Sequence, residues 1–260
     1  LVFTAINNEN IEIMKLLIDQ GSIDINVICN INTRNINCIK IESLLHIAIE
    51  KENIKAIKYL LSQKDINVNL EYLKSDRVLD FLIEYKYTAL YIAVENNNIE
   101  IVSMLLNHPD IDVNAIIYSK MFYDMKNIKK VQIQTCLSYS LENNQFEMAK
   151  ILLNHHNIDV NAISSYDCDF VCQEKSILEI AIEKENINII KILLSHPEID
   201  INFINKIITN FTKLNYFVTY GIGRVRAKRK YKTSLEVAVD VQNIEIMKLL
   251  ISNPDLNSES

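Results

Sequence analysis

Thr88-Ala89-Leu90-Tyr91-Ile92-Ala93-Val94-Glu95-Asn96-Asn97-Asn98-Ile99-Glu100-Ile101-Val102-Ser103-Met104-Leu105-Leu106, followed shortly by Ile111-Asp112-Val113-Asn114, decides the fold. Its apolar residues fall into two short blocks with helical spacing, Leu90, Ile92, Ala93 and Val94, then Ile99, Ile101, Val102, Leu105 and Leu106. Between them sits a polar corner, so the two helices must run antiparallel. The layout recurs six times. The small residues Ala5, Ala48, Ala93, Ser140, Ala181 and Ala238 are each followed twelve positions later by Leu17, Leu60, Leu105, Leu152, Leu193 and Leu250. An aliphatic-Asp-aliphatic-Asn phrase then closes the unit at Ile23-Asp24-Ile25-Asn26, Ile66-Asn67-Val68-Asn69, Ile111 to Asn114, Ile158-Asp159-Val160-Asn161 and Ile199-Asp200-Ile201-Asn202, and Leu256-Asn257 begins a sixth. Such self-similarity marks a stacked repeat array in which each unit buries its apolar face against its neighbours.

Local chemistry supports the helix boundaries. Ser43, Thr88, Thr135, Ser176 and Thr233 each stand five residues before the small residue, where a hydroxyl can accept from an unpaired amide of the first turn. Asn10, Asn53, Asn98, Asn186 and Asn243 open the second helix, with Gln145 the exception.

These units resemble ankyrin repeats. Ser43-Leu44-Leu45-His46-Ile47-Ala48 and Thr88 to Ala93 look like degenerate forms of the family's T-P-L-H-x-A, and Asn243 to Leu250 looks like its second helix. The proline is missing from every unit, the His survives only at His46, and Glu9, Glu52, Asn97, Asn144, Glu185 and Gln242 replace the corner glycine. Losing glycine where a left-handed residue is expected costs on the order of 1 kcal/mol per corner. The resemblance implies an all-α repeat solenoid, an ankyrin-type helix-turn-helix stack, with β-hairpin fingers between units. We expect one array over 1–260, in units 1–42, 43–87, 88–134, 135–175, 176–232 and 233–260, the first and last incomplete, as in a piece of a longer array.

The fingers are long. The small residues are 43, 45, 47, 41 and 57 positions apart, against about 33 in the family. The excess falls between the Asn phrase and the next Ser or Thr, in segments with strand character: 27–31 and 36–41, 115–122 and 128–133, and 214–220 before Gly221-Ile222-Gly223. Neighbouring fingers could pair edge to edge into a ribbon. A two-residue turn at Thr33-Arg34 would set Cys29 opposite Cys38, although a disulfide is not the expectation for a cytosolic chain.

Composition narrows the function. The 260 residues carry a formal charge of −6, against a nucleic-acid binder as a whole, and only three glycines. Three glycines cannot supply a P-loop, a dinucleotide fingerprint or a nucleophile elbow, and no H-E-x-x-H occurs, so neither an enzyme nor a cofactor is expected. No apolar run reaches the 18 to 20 or so residues of a membrane span. Five cysteines without zinc spacing fit reduced thiols in the cytoplasm. His108, His155 and His196 follow the repeat leucine by three residues, but successive rungs about 8 to 10 Å apart cannot share a metal. They are expected to close the second helix with a partly cationic ring.

Two charge patterns remain. Two residues past each small position stand Asn7, Glu50, Glu95, Glu142, Glu183 and Asp240, an acidic ladder that the family resemblance puts on the concave binding surface. It implies a protein partner, a basic one, or simply a solvated face. Arg224, Arg226, Lys228, Arg229, Lys230 and Lys232 form a basic run that can meet phosphate, an anionic membrane or an import receptor, or fold over Glu183 and Asp240. The finger tips Arg34, Asn35, Asp76, Arg77, Tyr123, Asp124, Asp167 and Asp169 complete the candidate binding set. The leading expectation is a monomeric, non-catalytic scaffold for another protein. The alternatives are a recruiting segment of a larger effector or enzyme, and an anion binder acting through the last finger.

Overall fold

The computed structural model describes residues 1–21, 23–33, 38–78, 81–123, 127–168, 171–209 and 228–256. The chain forms two compact units, Leu1–Asn127 and Ile128–Ser260. The first holds the helix pairs α1 (Val2–Asn7) and α2 (Ile11–Asp19), α3 (Leu44–Glu50) and α4 (Ile54–Leu61), and α5 (Ala89–Glu95) and α6 (Ile99–Leu106). The second holds α7 (Cys136–Glu142) and α8 (Phe146–Leu153), α9 (Ile177–Glu183) and α10 (Ile187–Leu194), and α11 (Ser234–Asp240) and α12 (Ile244–Ile251). First helices stack on first helices and second on second: α1, α3 and α5 in one unit, α7, α9 and α11 in the other. The small residues permit that approach, for Ala48, Ala93, Ser140, Ala181 and Ala238 are fully buried at the contact.

The helices are one class of element, not the whole fold. In the first unit β1 (Ile28–Thr33), β2 (Cys38–Ser43), β3 (Glu71–Val78), β4 (Phe81–Thr88) and β5 (Ile117–Tyr123) pair in sequence order into an antiparallel sheet. In the second, β6 (Asn127–Gln134), β7 (Ile163–Cys168), β8 (Val171–Ser176), β9 (Asn205–Thr209) and β10 (Lys228–Lys232) do the same. The all-α expectation therefore needs correction. The inserts lengthen each hairpin until its outer strand reaches the next finger's edge, and ladder hydrogen bonds satisfy groups that would otherwise lie open. The pairing also corrects the first hairpin's register: Cys29 faces Glu42 and Cys38 faces Thr33, and Cys29 keeps a free thiol. Thr33 is itself a paired strand residue, so the turn does not begin there. The strand expected over 214–220 lies outside the described residues.

All six corner residues adopt the left-handed conformation, with φ of 56° at Glu9, 50° at Glu52, 52° at Asn97, 60° at Asn144, 50° at Glu185 and 57° at Gln242. The backbone keeps the glycine geometry after losing the glycine. Asn10, Asn53, Asn98, Asn186 and Asn243 cap the second helices by accepting from a first-turn amide. Gln145 does not, and its Oε1 is buried without a partner. Its extra methylene carries the carbonyl past the amide it should meet. Among the first helices Ser43, Thr135, Ser176 and Thr233 cap as expected, whereas Thr88 makes no cap bond and leaves its Oγ1 unpaired.

The closing Asn is explained by what it binds. Asn26 Nδ2 donates to Asp65 O (2.7 Å) while its Oδ1 accepts from Asn67 N (2.7 Å), clamping the next repeat's loop. Asn69 does the same to Asp110 O (2.6 Å) and Asp112 N (2.9 Å), and Asn161 to Glu198 O and Asp200 N. His108, His155 and His196 each accept on Nδ1 from the amide two residues on, at 3.3 Å. Through these bonds the three rings close the loop that follows each second helix.

Gln145→Asn is expected to stabilise the second unit by about 1 kcal/mol by restoring a cap. Urea denaturation with an unchanged midpoint would contradict it. Glu52→Gly is expected to raise stability by about 0.5 to 1 kcal/mol by relieving the left-handed strain, read in the same assay.

Candidate functional site

The ladder acids sit in the last turn of the first helices, eight residues beyond the residue that precedes each helix's cap, and in the second unit that residue reaches them. That residue is Glu42, Tyr87, Gln134, Lys175 or Lys232, at or next to the end of its strand. Lys175 Nζ lies 2.5 Å from Glu183 Oε2, and Lys232 bonds Asp240. Gln134 Nε2 donates to Glu142. In the first unit the slot holds Glu42, so Lys40, two residues earlier on the same face of β2, pairs with Glu50 instead at 3.4 Å. Glu95 accepts from Tyr91 Oη at 3.2 Å. The ladder is thus no free acidic strip, because every acid in it meets a partner from its own unit. The hydrogen bond from Lys232 holds the exposed Asp240 carboxyl below the usual range, and the same bond raises the Lys232 ammonium.

An aromatic row lines the first unit between sheet and helices. Tyr72 and Tyr87, paired across β3 and β4, stack at 4.7 Å; Tyr72 lies 5.6 Å from His46 and Tyr87 4.9 Å from Tyr91. Burial holds the His46 ring down at about 4, so it is neutral. Its Nδ1 lies 2.7 Å from Ser43 Oγ and accepts from Ser43 N, so the family's histidine acts here as a helix cap.

At the same helical slot in the second unit stands Glu179, 2% exposed, with Oε2 unpaired. Burial, then the nearby Glu183, pushes its carboxyl up to about 7, against the pull of Lys175 and Lys232. A cavity of about 320 Å³ opens on the ladder side of the second sheet, lined by Gln132, Glu142, Ser164, Ser165, Tyr166, Gln173 and Lys175. The Ser164 hydroxyl is buried there with no hydrogen-bond partner. Burial also raises the Glu142 carboxyl.

The structure brings together Glu142, Glu183, Asp240, Lys230 and Lys232 in the second unit and Glu50 and Glu95 in the first. Asp167 is exposed on the far side of its sheet, alternating with Tyr166 along β7. Asp76, Arg77 and Tyr123 occupy strand positions opposite Ile83, Leu82 and Phe81, and Lys228 and Arg229 positions opposite Thr209 and Ile208. Arg34, Asn35, Asp124, Asp169, Arg224 and Arg226 lie outside the described residues. Sequence reasoning missed Lys40, Gln134 and Lys175. For Gln134 and Lys175 the signal was a fixed eight-residue offset from the ladder acid, visible only once the strand is known to run over the helix; Lys40, ten residues before Glu50, lies outside it. No described helix is long and apolar enough to cross a membrane.

A family model for ankyrin repeats, in three copies, matches residues 1–117 and 116–205. The chain belongs to the ankyrin-repeat family. The repeats of this family mediate protein–protein interaction and are typically non-catalytic. No curated protein matches this ankyrin-repeat chain.

The buried Glu179 gives a pH signature. A carboxyl whose folded value is raised favours the folded state while protonated, and that contribution is lost as pH rises through about 7. Glu179→Gln is therefore expected to stabilise the second unit by about 1 to 2 kcal/mol at pH 8 and by little at pH 4. Denaturation at both pH values checks it, and an equal effect at the two would contradict it.

Proposed function

We propose that this ankyrin-repeat chain is a non-catalytic scaffold that holds another protein against the ladder face, between the first helices and the finger sheet, with the finger tips adding contacts. The observation that carries this reading is the cavity in the second unit, where ladder acid, strand lysine and a buried unpaired serine hydroxyl converge. Such a crevice offers charged and neutral hydrogen-bonding groups on rigid elements, and nothing in it resembles a nucleophile oriented by a base. Because Lys40, Lys175 and Lys232 already neutralise three of the acids, a partner recognised by the ladder alone would have to displace them.

Two variant sets test the reading by capture of partners from native lysate. Glu95→Ala, Glu142→Ala and Glu183→Ala together alter the ladder face, while Lys58→Ala and Lys191→Ala alter exposed positions on the second helices. The ladder set is expected to reduce capture about tenfold or more, as loss of central interface contacts does, with the helix set without effect. Capture lost only in the helix set would refute it.

A further inference from the structure

Among the described residues, the ladder side of the second unit's sheet presents lysine and no acid. Its strands place Gln132, Tyr166, Gln173, Ile207 and Lys230 in one cross-strand row. Residues two positions away along each strand share that face. Lys130 is one of them, held over the Tyr166 ring at 4.9 Å, and Lys175 and Lys232 are others. Asp167 and Glu174 alternate to the opposite face.

Charge is therefore sorted by depth. Nearest the helices, Glu183 and Asp240 are taken up by Lys175 and Lys232, and Glu142 by the neutral Gln134. Further out along the strands, Lys130 stands over the Tyr166 ring, and the exposed Lys230 adds a second positive charge beside the Lys232–Asp240 pair. The groups between them, Gln132, Gln173 and the unpaired Ser164 hydroxyl, are neutral hydrogen-bonding side chains lining or bordering the cavity.

We infer that this face docks an acidic, extended segment of a partner protein, laid across the strands from Lys130 toward Lys230. The inference rests on the scaffold reading above and names its partner's chemistry, reversing the sign that the ladder implies in the sequence. Five strands about 4.8 Å apart span about 19 Å, the length of about six extended residues. A peptide suits the face better than a nucleic acid does. Its carboxylates are spaced by neutral backbone that glutamine and serine side chains can bind, whereas a continuous phosphate chain would crowd the ladder acids directly beneath.

The test uses the full chain and a fluorescein-labelled peptide of about eight residues alternating Glu with Ser, followed by fluorescence anisotropy. The same peptide with Lys for Glu, and an oligothymidylate of similar length, form the other arms. The Glu peptide is expected to bind, more weakly as salt rises. Lys130→Glu with Lys230→Glu should weaken it about tenfold or more, while the milder Lys130→Gln with Lys230→Gln gives a smaller loss. Circular dichroism of both variants shows whether the fold is kept. No binding of the Glu peptide, binding indifferent to these variants in a folded chain, or equal or tighter binding of the Lys peptide or the oligothymidylate would each overturn the inference. Such a failure leaves the scaffold reading standing, because that reading is judged by partner capture with the ladder variants.

Discussion

The asparagine that ends each repeat is the contact on which the rest of the array depends. A repeat has no core of its own, so its loops carry backbone groups that only a neighbour can satisfy. One amide side chain gives a donor and an acceptor in a fixed plane. Asn26, Asn69 and Asn161 use both, meeting a carbonyl and an amide of the following loop. Aspartate would lose the donor, and leucine would lose both groups. The clamp sets the spacing at which Ala48, Ala93 and Ala181 bring successive first helices together. It leaves the chain beyond it free to vary, and the fingers begin there.

Lengthening the fingers changes what the first helices can present. In a short-fingered array a carboxylate in the last helical turn would look out to solvent. Here a strand passes over it, and the residue before the helix cap becomes its neighbour. That geometry couples two positions eight apart in sequence, such as Lys175 with Glu183 and Lys232 with Asp240. Exposed pairs of this kind contribute little to stability. Their consequence is electrostatic: they quench the ladder.

The helical framework was legible in the sequence because its constraints are local. Small residue, leucine and Asn phrase keep their spacing, and even the left-handed corners were visible as positions where Glu52 or Gln242 stood in for glycine. The sheet was only partly legible. Strand character shows in 115–122, but the Cys29–Glu42 register depends on how many residues the hairpin's end takes up, which alternation alone does not fix. The candidate site was least legible. The ladder was readable as a repeat slot, whereas its pairing with Gln134 and Lys175 at an offset of eight, and with Lys40 at ten, arises between strand and helix and gains meaning only once the strand is known to pass over the helix.

The third position of the first helix shows where local rules yield to something else. His46, Ser138 and Glu236 all complete a reciprocal capping box, each accepting from the amide of the cap residue. Three unlike side chains reach the same solution, so the slot is under a backbone constraint and not a chemical one. Tyr91 and Glu179 occupy that slot without completing the box. Tyr91 joins the aromatic row and bonds Glu95, and Glu179 sits buried with an unpaired oxygen beside Glu183. Local capping rules therefore hold at His46, Ser138 and Glu236 and give way at Tyr91 and Glu179, where aromatic contact or burial decides the side chain's place.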